Sequence, residues 1–488
     1  MGTTTNRGRG VGKVISLAER KAAREQGGLG GLEERVRREV EKVRQSPESF
    51  ADFESNLHAV MMSTEREILA KTLGELDEDA VVVELDGVAH RRAFKSRGTY
   101  MTSAGEVEVV RTLYRDRTDP GAPSIPALDR KVGIVAGFWT PAAAKLGGWA
   151  VSQMTPKSAA ELFQRTGNMA PSKASLDRLP KALSAAWNSD RRRLESELRE
   201  AVVIPQGTTT VAVSIDGVLA PMEGTNPVAK RTATAARGRI AKGPAGYREL
   251  GCAAISFCDA KGEMLSAIRI GRSPEPHKAE LKALVTAYLG QIFELTTVRL
   301  KVVNVADAGG DNFSFLRELC PDAPEILDFF HAAEHLNAAL AEVFGDGTLE
   351  TRELFARYRW KLLEDPDGAS KVIGSLRQLA TKHPTKKKLG KELAYFRKNK
   401  ARMRYAEWRE QGLPIGSGVV EAACKTLVSQ RLKQSGMRWG ASGAQAILHL
   451  RGWQQSEQFD LAWASLAATF RQQVTILSKL VPLSHFAR

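Results

Sequence analysis

TTTVAVSID, residues 208–216, is dense in β-branched residues and ends on an aspartate, the signature of a strand that carries a functional carboxylate to a sheet edge. Working outward, Tyr247–Cys258 and Glu263–Ile270 read as the next two strands, joined by a turn at Asp259–Gly262. A helix is expected over Pro276–Phe293, then a strand over Val298–Val305 leading to Asp307. A short helix over Asn312–Leu319, with Asp311 as its candidate cap, and a strand over Ile326–Phe330 complete the run.

Three strands, helix, strand, helix, strand is the order of the ribonuclease H-like fold, which sets carboxylates at the ends of its first and fourth strands. Asp216 and Asp307 fall at those places. A third acid has to come from a helix beyond the last strand, and Leu413–Trp439, LPIGSGVVEAACKTLVSQRLKQSGMRW, supplies Glu421. No other Asp or Glu occurs between Gln411 and Ser456, whereas Lys425, Arg431, Lys433, Arg438 and Arg451 do. Ser417 between two glycines is a candidate helix cap, and helical spacing then predicts Glu421, Lys425, Val428 and Leu432 on one face. Glu421 also suits an ordinary surface glutamate paired with Lys425. Residues 331–413 separate the two parts of the catalytic region and are expected to be an all-helical insertion.

Composition bounds the partner. The 488 residues carry a formal net charge of +15, which favours a polyanion, nucleic acid ahead of a membrane surface. Four cysteines without CxxC spacing signal neither a zinc ribbon nor a disulfide framework. No apolar run approaches the ~18 residues of a membrane span, so the expected location is cytoplasmic, beside the nucleoid. Positive charge is concentrated in Lys382–Arg404, which holds ten Lys and Arg against Glu392 alone, and in Gly224–Arg248, read as a basic loop. Lys386, Lys387, Arg397 and Arg402 are candidate phosphate contacts, as are Lys425, Arg431 and Lys433. Trp360 and Trp408 are candidates for stacking on bases, although tryptophan in a helix is more often core.

Ahead of the catalytic region, residues 1–76 read as a basic arm and a charged helical lead-in. Residues 77–120 alternate as a small antiparallel sheet with turns at Asp86-Gly87 and Ser103-Ala104-Gly105. Leu85-Asp86-Gly87-Val88 echoes Ile215-Asp216-Gly217-Val218, but the hairpin gives Asp86 a structural task. In residues 121–204, Thr155-Pro156 opens a helix that Gly167 closes, and a second begins near Ser172. Ser172, Lys173 and Arg178 on that second helix are candidate DNA contacts of a helix-turn-helix; an ordinary helical hairpin fits the same signal. Residues 205–330 and 414–455 form the expected catalytic domain, and 456–488 a C-terminal helix.

Three acids from distant segments suit phosphodiester chemistry by two Mg²⁺ ions ~3.5–4 Å apart, with Mn²⁺ as a substitute. Oxygen ligands without a His/Cys cage match that choice of metal.

At the level of whole motifs the sequence resembles the DDE transposases of the bacterial Kra-type insertion sequences, a family related to the mutator-like superfamily. The resemblance rests on SIDGV (214–218), YRELGCAAISFCD (247–259), VADAGGDNFSFL (305–316), DFFHAAEHL (328–336) and the block from Met403 to Trp439. It covers roughly residues 205–455 and, more weakly, the helix-turn-helix region. It implies a ribonuclease H-like catalytic domain with a helical insertion and a metal-binding triad at Asp216, Asp307 and Glu421, with Asp311 the rival for the second place. A Cys/Asp-x-x-His signature maps to Asp328 and His331 as auxiliary site residues. Double-stranded DNA, both element ends and target, and a homo-oligomer on DNA are the implied partners. The chain lacks the N-terminal cysteines of a zinc-binding ribbon, which removes support for zinc-assisted DNA binding by residues 80–120.

Two other readings exist. His331-Ala332-Ala333-Glu334-His335 fits the H-x-x-E-H pattern of a zinc metallopeptidase, yet that leaves the basic charge and the Glu421 block unexplained. A catalytically inactive DNA-binding regulator is the other, and intact acids at all three positions argue against it.

Overall fold

Alternating valines and a tight Asp-Gly turn build the first sheet. The computed structural model describes residues 29–46, 50–119, 121–223, 236, 246–296, 298–308 and 312–478. The expected arm, most of the basic loop after Gly224, and Asp311 lie outside that set. The described chain divides into two compact units, residues 29–147, 156–176 and 467–478 in one, and 148–155 and 177–466 in the other. It is a mixed α/β protein with a five-stranded sheet in each unit and many helices. No described helix is long and apolar enough to cross a membrane.

In the first unit, helices α1 (Leu29–Gln45) and α2 (Phe50–Glu75) precede strands β1 (Val82–Leu85), β2 (Val88–Thr102), β3 (Gly105–Asp116) and β4 (Ile125–Pro126). The sheet is antiparallel throughout. Asp86 and Gly87 turn β1 into β2 with φ of 55° and 76°, as the hairpin reading requires. A fifth strand, Thr475–Ser478, adds to the free edge of β1. That corrects the expectation of a helix over 456–488: the helix spans Phe459–Phe470 and the chain then turns extended. Helices α3 (Pro156–Thr166) and α4 (Lys173–Ser189) appear where the Thr155-Pro156 and Ser172 signals set them, with Gly167 at φ 71° between.

The second unit holds β5 (Thr210–Pro221), β6 (Tyr247–Cys258), β7 (Met264–Arg272), β8 (Lys301–Ala306) and β9 (Glu325–Leu327) in the order β7-β6-β5-β8-β9. β5, β6 and β7 are antiparallel, while β8 and β9 continue parallel to β5. Helix α5 (Ala279–Leu295) makes the crossover into β8, and α6 (Asn312–Leu319) the crossover into β9. Both faces of the sheet are covered. Val211, Val213, Ile215, Ala253 and Ile255 pack with Leu281, Val285 and Leu289 on one side. Cys252 and Ala254 face Val420, Ala423, Leu427 and Val428 on the other.

The helices that follow β9 include α7 (Phe329–Phe344), α8 (Leu349–Glu364), α9 (Gly368–Lys382) and α10 (Lys387–Asn399), with a short helix at Tyr405–Glu410 after them. They occupy the expected insertion, but Leu336, Leu362, Val372, Leu376 and Phe396 belong to the same continuous core as β5 and β8. The chain returns through α11 (Gly418–Ala423), and α12 (Ala441–Gln455) packs beyond it. Between them, Cys424–Ser429 winds as a π-helical turn. Its wider turn shifts the helical phase, so Glu421 and Lys425 are exposed while Val428 and Leu432 are buried. The four residues expected on one face are therefore split between two.

Candidate functional site

Parallel register sets the site. Val213 of β5 pairs with Asn304 of β8. Three residues beyond this last pair stand Asp216, still within β5, and Asp307, just past the end of β8, near enough for the charge of Asp307 to oppose the ionisation of Asp216. Asn304 is fully buried, and its Nδ2 donates to the carbonyls of Leu316 (3.1 Å) and Cys320 (3.3 Å), which holds β8 to α6. Asp307 follows the last residue of β8, as expected, and its Oδ1 accepts from Asn312 Nδ2 at 3.1 Å.

Asp216 is the seventh of twelve residues in β5 rather than its last. The strand runs on to Pro221 because β6 pairs with its whole length, Asp216 lying opposite Cys252. Its half-buried carboxylate accepts from the Gly217 backbone N–H at 2.7 Å and from the Cys424 thiol at 3.4 Å. Burial holds its pKa above the usual carboxylate range, and the negative charge of Asp307 adds to that. The Cys424 thiol stays protonated, through its hydrogen bond with Cys252 and its burial.

Glu421 lies one helical turn before Cys424, and its carboxylate is exposed. Asp328 fixes where that helix begins. It is 3% exposed and caps α7 by accepting from the His331 backbone N–H at 2.6 Å. Its other oxygen accepts from the Ser417 N–H and from Ser417 Oγ at 2.7 Å. Ser417 thus donates its hydroxyl to Asp328 instead of capping its own helix, a correction to the sequence reading. Asp328 acts as a pin between the start of α7 and the start of α11.

His331 Nδ1 lies 3.6 Å from Glu334, and its ring meets His335 edge to face at 4.8 Å. His335 Nδ1 is engaged with Glu392 at 2.5 Å and its ring stacks on Tyr395 at 3.8 Å. Tyr395 and Tyr405 bury their hydroxyls without a hydrogen-bond partner among the described residues. Burial raises the pKa of both, and the charge of Asp328 reinforces it in each; Asp307 does so for Tyr395 as well. Sequence reasoning missed these tyrosines, since nothing in the spacing of Tyr395 or Tyr405 sets it apart from a core aromatic. Among the described residues no group of three or more His, Cys, Asp or Glu side chains is gathered at metal-holding spacing.

The basic candidates separate into two kinds. Lys173, Arg178, Lys386, Lys387, Arg397, Lys425 and Lys433 are exposed. Ser172 is exposed but spends its hydroxyl on α4, accepting from the Ser175 N–H at 3.0 Å. Arg402 turns inward to Glu325 at 2.6 Å and over the Phe313 ring. Arg431 is corrected: at 1% exposure it cannot reach a phosphate, and its Nε donates to the Val151 carbonyl at 3.1 Å. Arg451 is likewise buried, donating to carbonyls of Ser152 and Thr426, the latter inside the π-turn. Trp408 is core, whereas Trp360 is 62% exposed.

No protein-family model matches the chain, and no curated protein does. Among solved structures the chain is similar to one titled "Drosophila P element transposase strand transfer complex", with 11% identity and a TM-score of 0.25. The match covers 68% of this chain and 81% of that one. Similarity at this level does not establish a common architecture.

Proposed function

We propose that the chain is a DDE-type DNA transposase with a ribonuclease H-like catalytic domain, and that Asp216, Asp307 and Glu421 are its catalytic acids. The observation that carries this reading is the closeness of Asp216, inside β5, to Asp307, which directly follows the adjacent parallel strand β8 of a β7-β6-β5-β8-β9 sheet. A half-buried carboxylate whose ionisation is opposed by a neighbouring acid is a place that a divalent cation would relieve. Oxygen donors alone suit Mg²⁺, and Mn²⁺ in its stead. Asp216 and Asp307 would hold it, with Glu421 as the third donor; two such ions would supply charge neutralisation at the attacking and leaving oxygens.

The chain's own residues prepare that place. Cys424 and the Gly217 N–H orient Asp216, Asn312 orients Asp307, and the Asp328–Ser417 bonds set the start of the helix bearing Glu421. Tyr395 brings an unpartnered hydroxyl to the same neighbourhood. Exposed Lys386, Lys387, Arg397, Lys425 and Lys433 offer contacts to the backbone of double-stranded DNA, element ends and target, with a homo-oligomer as the working form.

A Mg²⁺-dependent cleavage and joining assay, on a plasmid carrying the DNA that flanks this chain's own gene, tests the reading. Wild type should cut at defined ends and join them to a target, and Glu421→Gln should do neither while retaining DNA affinity. Cleavage by Glu421→Gln would remove Glu421 from the triad. Binding without cleavage by both proteins would favour the regulator.

A further inference from the structure

We propose that the outward face of the β2–β3 ribbon, built on the facing pair Arg91 and Arg115 with Phe94 and Arg117, docks on the phosphate backbone of duplex DNA. The inference rests on the reading of the chain as a DNA-handling protein and adds to it a surface made of sheet rather than helix.

Burial along β3 changes face halfway. From Gly105 to Val109 the odd-numbered residues are buried, Val107 and Val109 packing with Tyr100 and Leu73. Beyond Arg111 the even-numbered residues take over, Thr112 and Tyr114 being fully buried and Tyr114 packing with Val83 and Leu85. The twist of the long ribbon thus carries its core from one face to the other and leaves Leu113 and Arg115 on the outer side.

Register then gathers charge there. Arg91 is directly opposite Arg115, and Phe94, 52% exposed, is opposite Leu113. Arg117 comes next along the same face, its N–H bonded to the Ala89 carbonyl at 3.2 Å. Like charges directly opposite one another weaken a strand pair. Elsewhere on the ribbon cations are compensated: Arg92 and Lys95, on the inner face, meet Asp79 at 2.8 and 3.0 Å. Arg97 lies 3.7 Å from Glu108, and Arg111 3.2 Å from Asp129. Among the described residues no carboxylate pairs with Arg91, Arg115 or Arg117; Glu84 of β1 shares their face, diagonal to Arg91, without bonding it. Three uncompensated guanidiniums around an exposed aromatic ring complement phosphate, which their forked donors match.

The test measures binding of the full chain to a short duplex against NaCl concentration, without divalent metal. Arg91→Gln/Arg115→Gln should lower the slope of log affinity against log salt by about 2, one released counterion per lost contact. Arg92→Gln/Lys95→Gln removes equal charge from the inner face and should leave the slope as it is. The Arg91/Arg115 variant should melt no lower than wild type, since it relieves a repulsion. An unchanged slope in that variant, or equal losses in both, would overturn the proposal. DNA cleavage by wild type alongside an unchanged slope overturns this surface alone, whereas absence of any DNA binding overturns the transposase reading with it.

Discussion

Leu85-Asp86-Gly87-Val88 and Ile215-Asp216-Gly217-Val218 share three residues of four, and the fourth is aliphatic in both, yet they do opposite things. At the first, both Asp86 and Gly87 adopt left-handed φ and reverse the chain in the open. At the second, neither does; the strand runs straight on, and Asp216 is held half-buried beside a second acid. The difference arises outside the four residues. β1 is short, and among the described residues the aspartate that follows it meets Arg130 at 3.7 Å and no other charged partner. β5 is paired on both edges up to Val213; three residues further on Asp216 has lost its second strand neighbour, and Asp307, just past the end of β8, comes near it instead. A local motif becomes a candidate catalytic position through its strand neighbours.

Asparagine substitutions give this contrast its hardest test. In the cleavage assay Asp216→Asn should lose at least about a thousandfold in rate, matching the several kcal/mol of charge stabilisation that a bound metal supplies. Asp86→Asn should cleave at the wild-type rate. Equal losses would mean that Asp86 is more than a turn residue, and equal retention that the carboxylate pair is not the reacting site.

The contrast was half legible in the sequence. The order of strands and helices from Thr210 to Leu327 could be read because each strand is a β-branched run bounded by turn residues, and the Asp86 turn because Asp-Gly between alternating strands favours it. Tertiary pairing hid the rest. The β-branched run closing on Asp216 suggested a strand end, yet pairing with β6 carries β5 to Pro221. Cationic residues suggested DNA contacts, but Arg431 and Arg451 are consumed by backbone carbonyls at Val151, Ser152 and Thr426, partners far away in sequence. A π-turn has no residue signature, so the phase of the helix after Ala423 was out of reach.

The glycines sharpen the comparison at a smaller scale. Gly87 has φ 76° with open space where a Cβ would go, so Gly87→Ala should cost about 1 kcal/mol from backbone strain alone, read by chemical denaturation. Gly217 has no left-handed φ, and its added methyl would meet the Glu249 carboxylate, Cδ and Cγ, so that exposed side chain must turn away and give up its ion pair with Lys278, a surface pair worth little. Gly217→Ala should therefore stay within about 0.5 kcal/mol of wild type. A larger loss at 217 than at 87 would place the strain at the wrong aspartate.

The smallest expected effect separates the aspartates by the sign of their contribution to stability. Asp216 binds its proton more tightly folded than unfolded, so its relative contribution is greatest below the ordinary carboxylate pKa and declines as pH rises through its own raised value. Asp216→Asn should then melt higher than wild type at pH 7, on the order of one degree, with the gap closing at pH 3. Asp86→Asn loses only an exposed ion pair and should melt level or slightly lower. Mg²⁺ should raise the melting point of wild type and of Asp86→Asn but not of Asp216→Asn, because an ion bound only by the folded state stabilises it by mass action. A rise of equal size in all three proteins would locate the cation away from Asp216, whatever the cleavage assay returned.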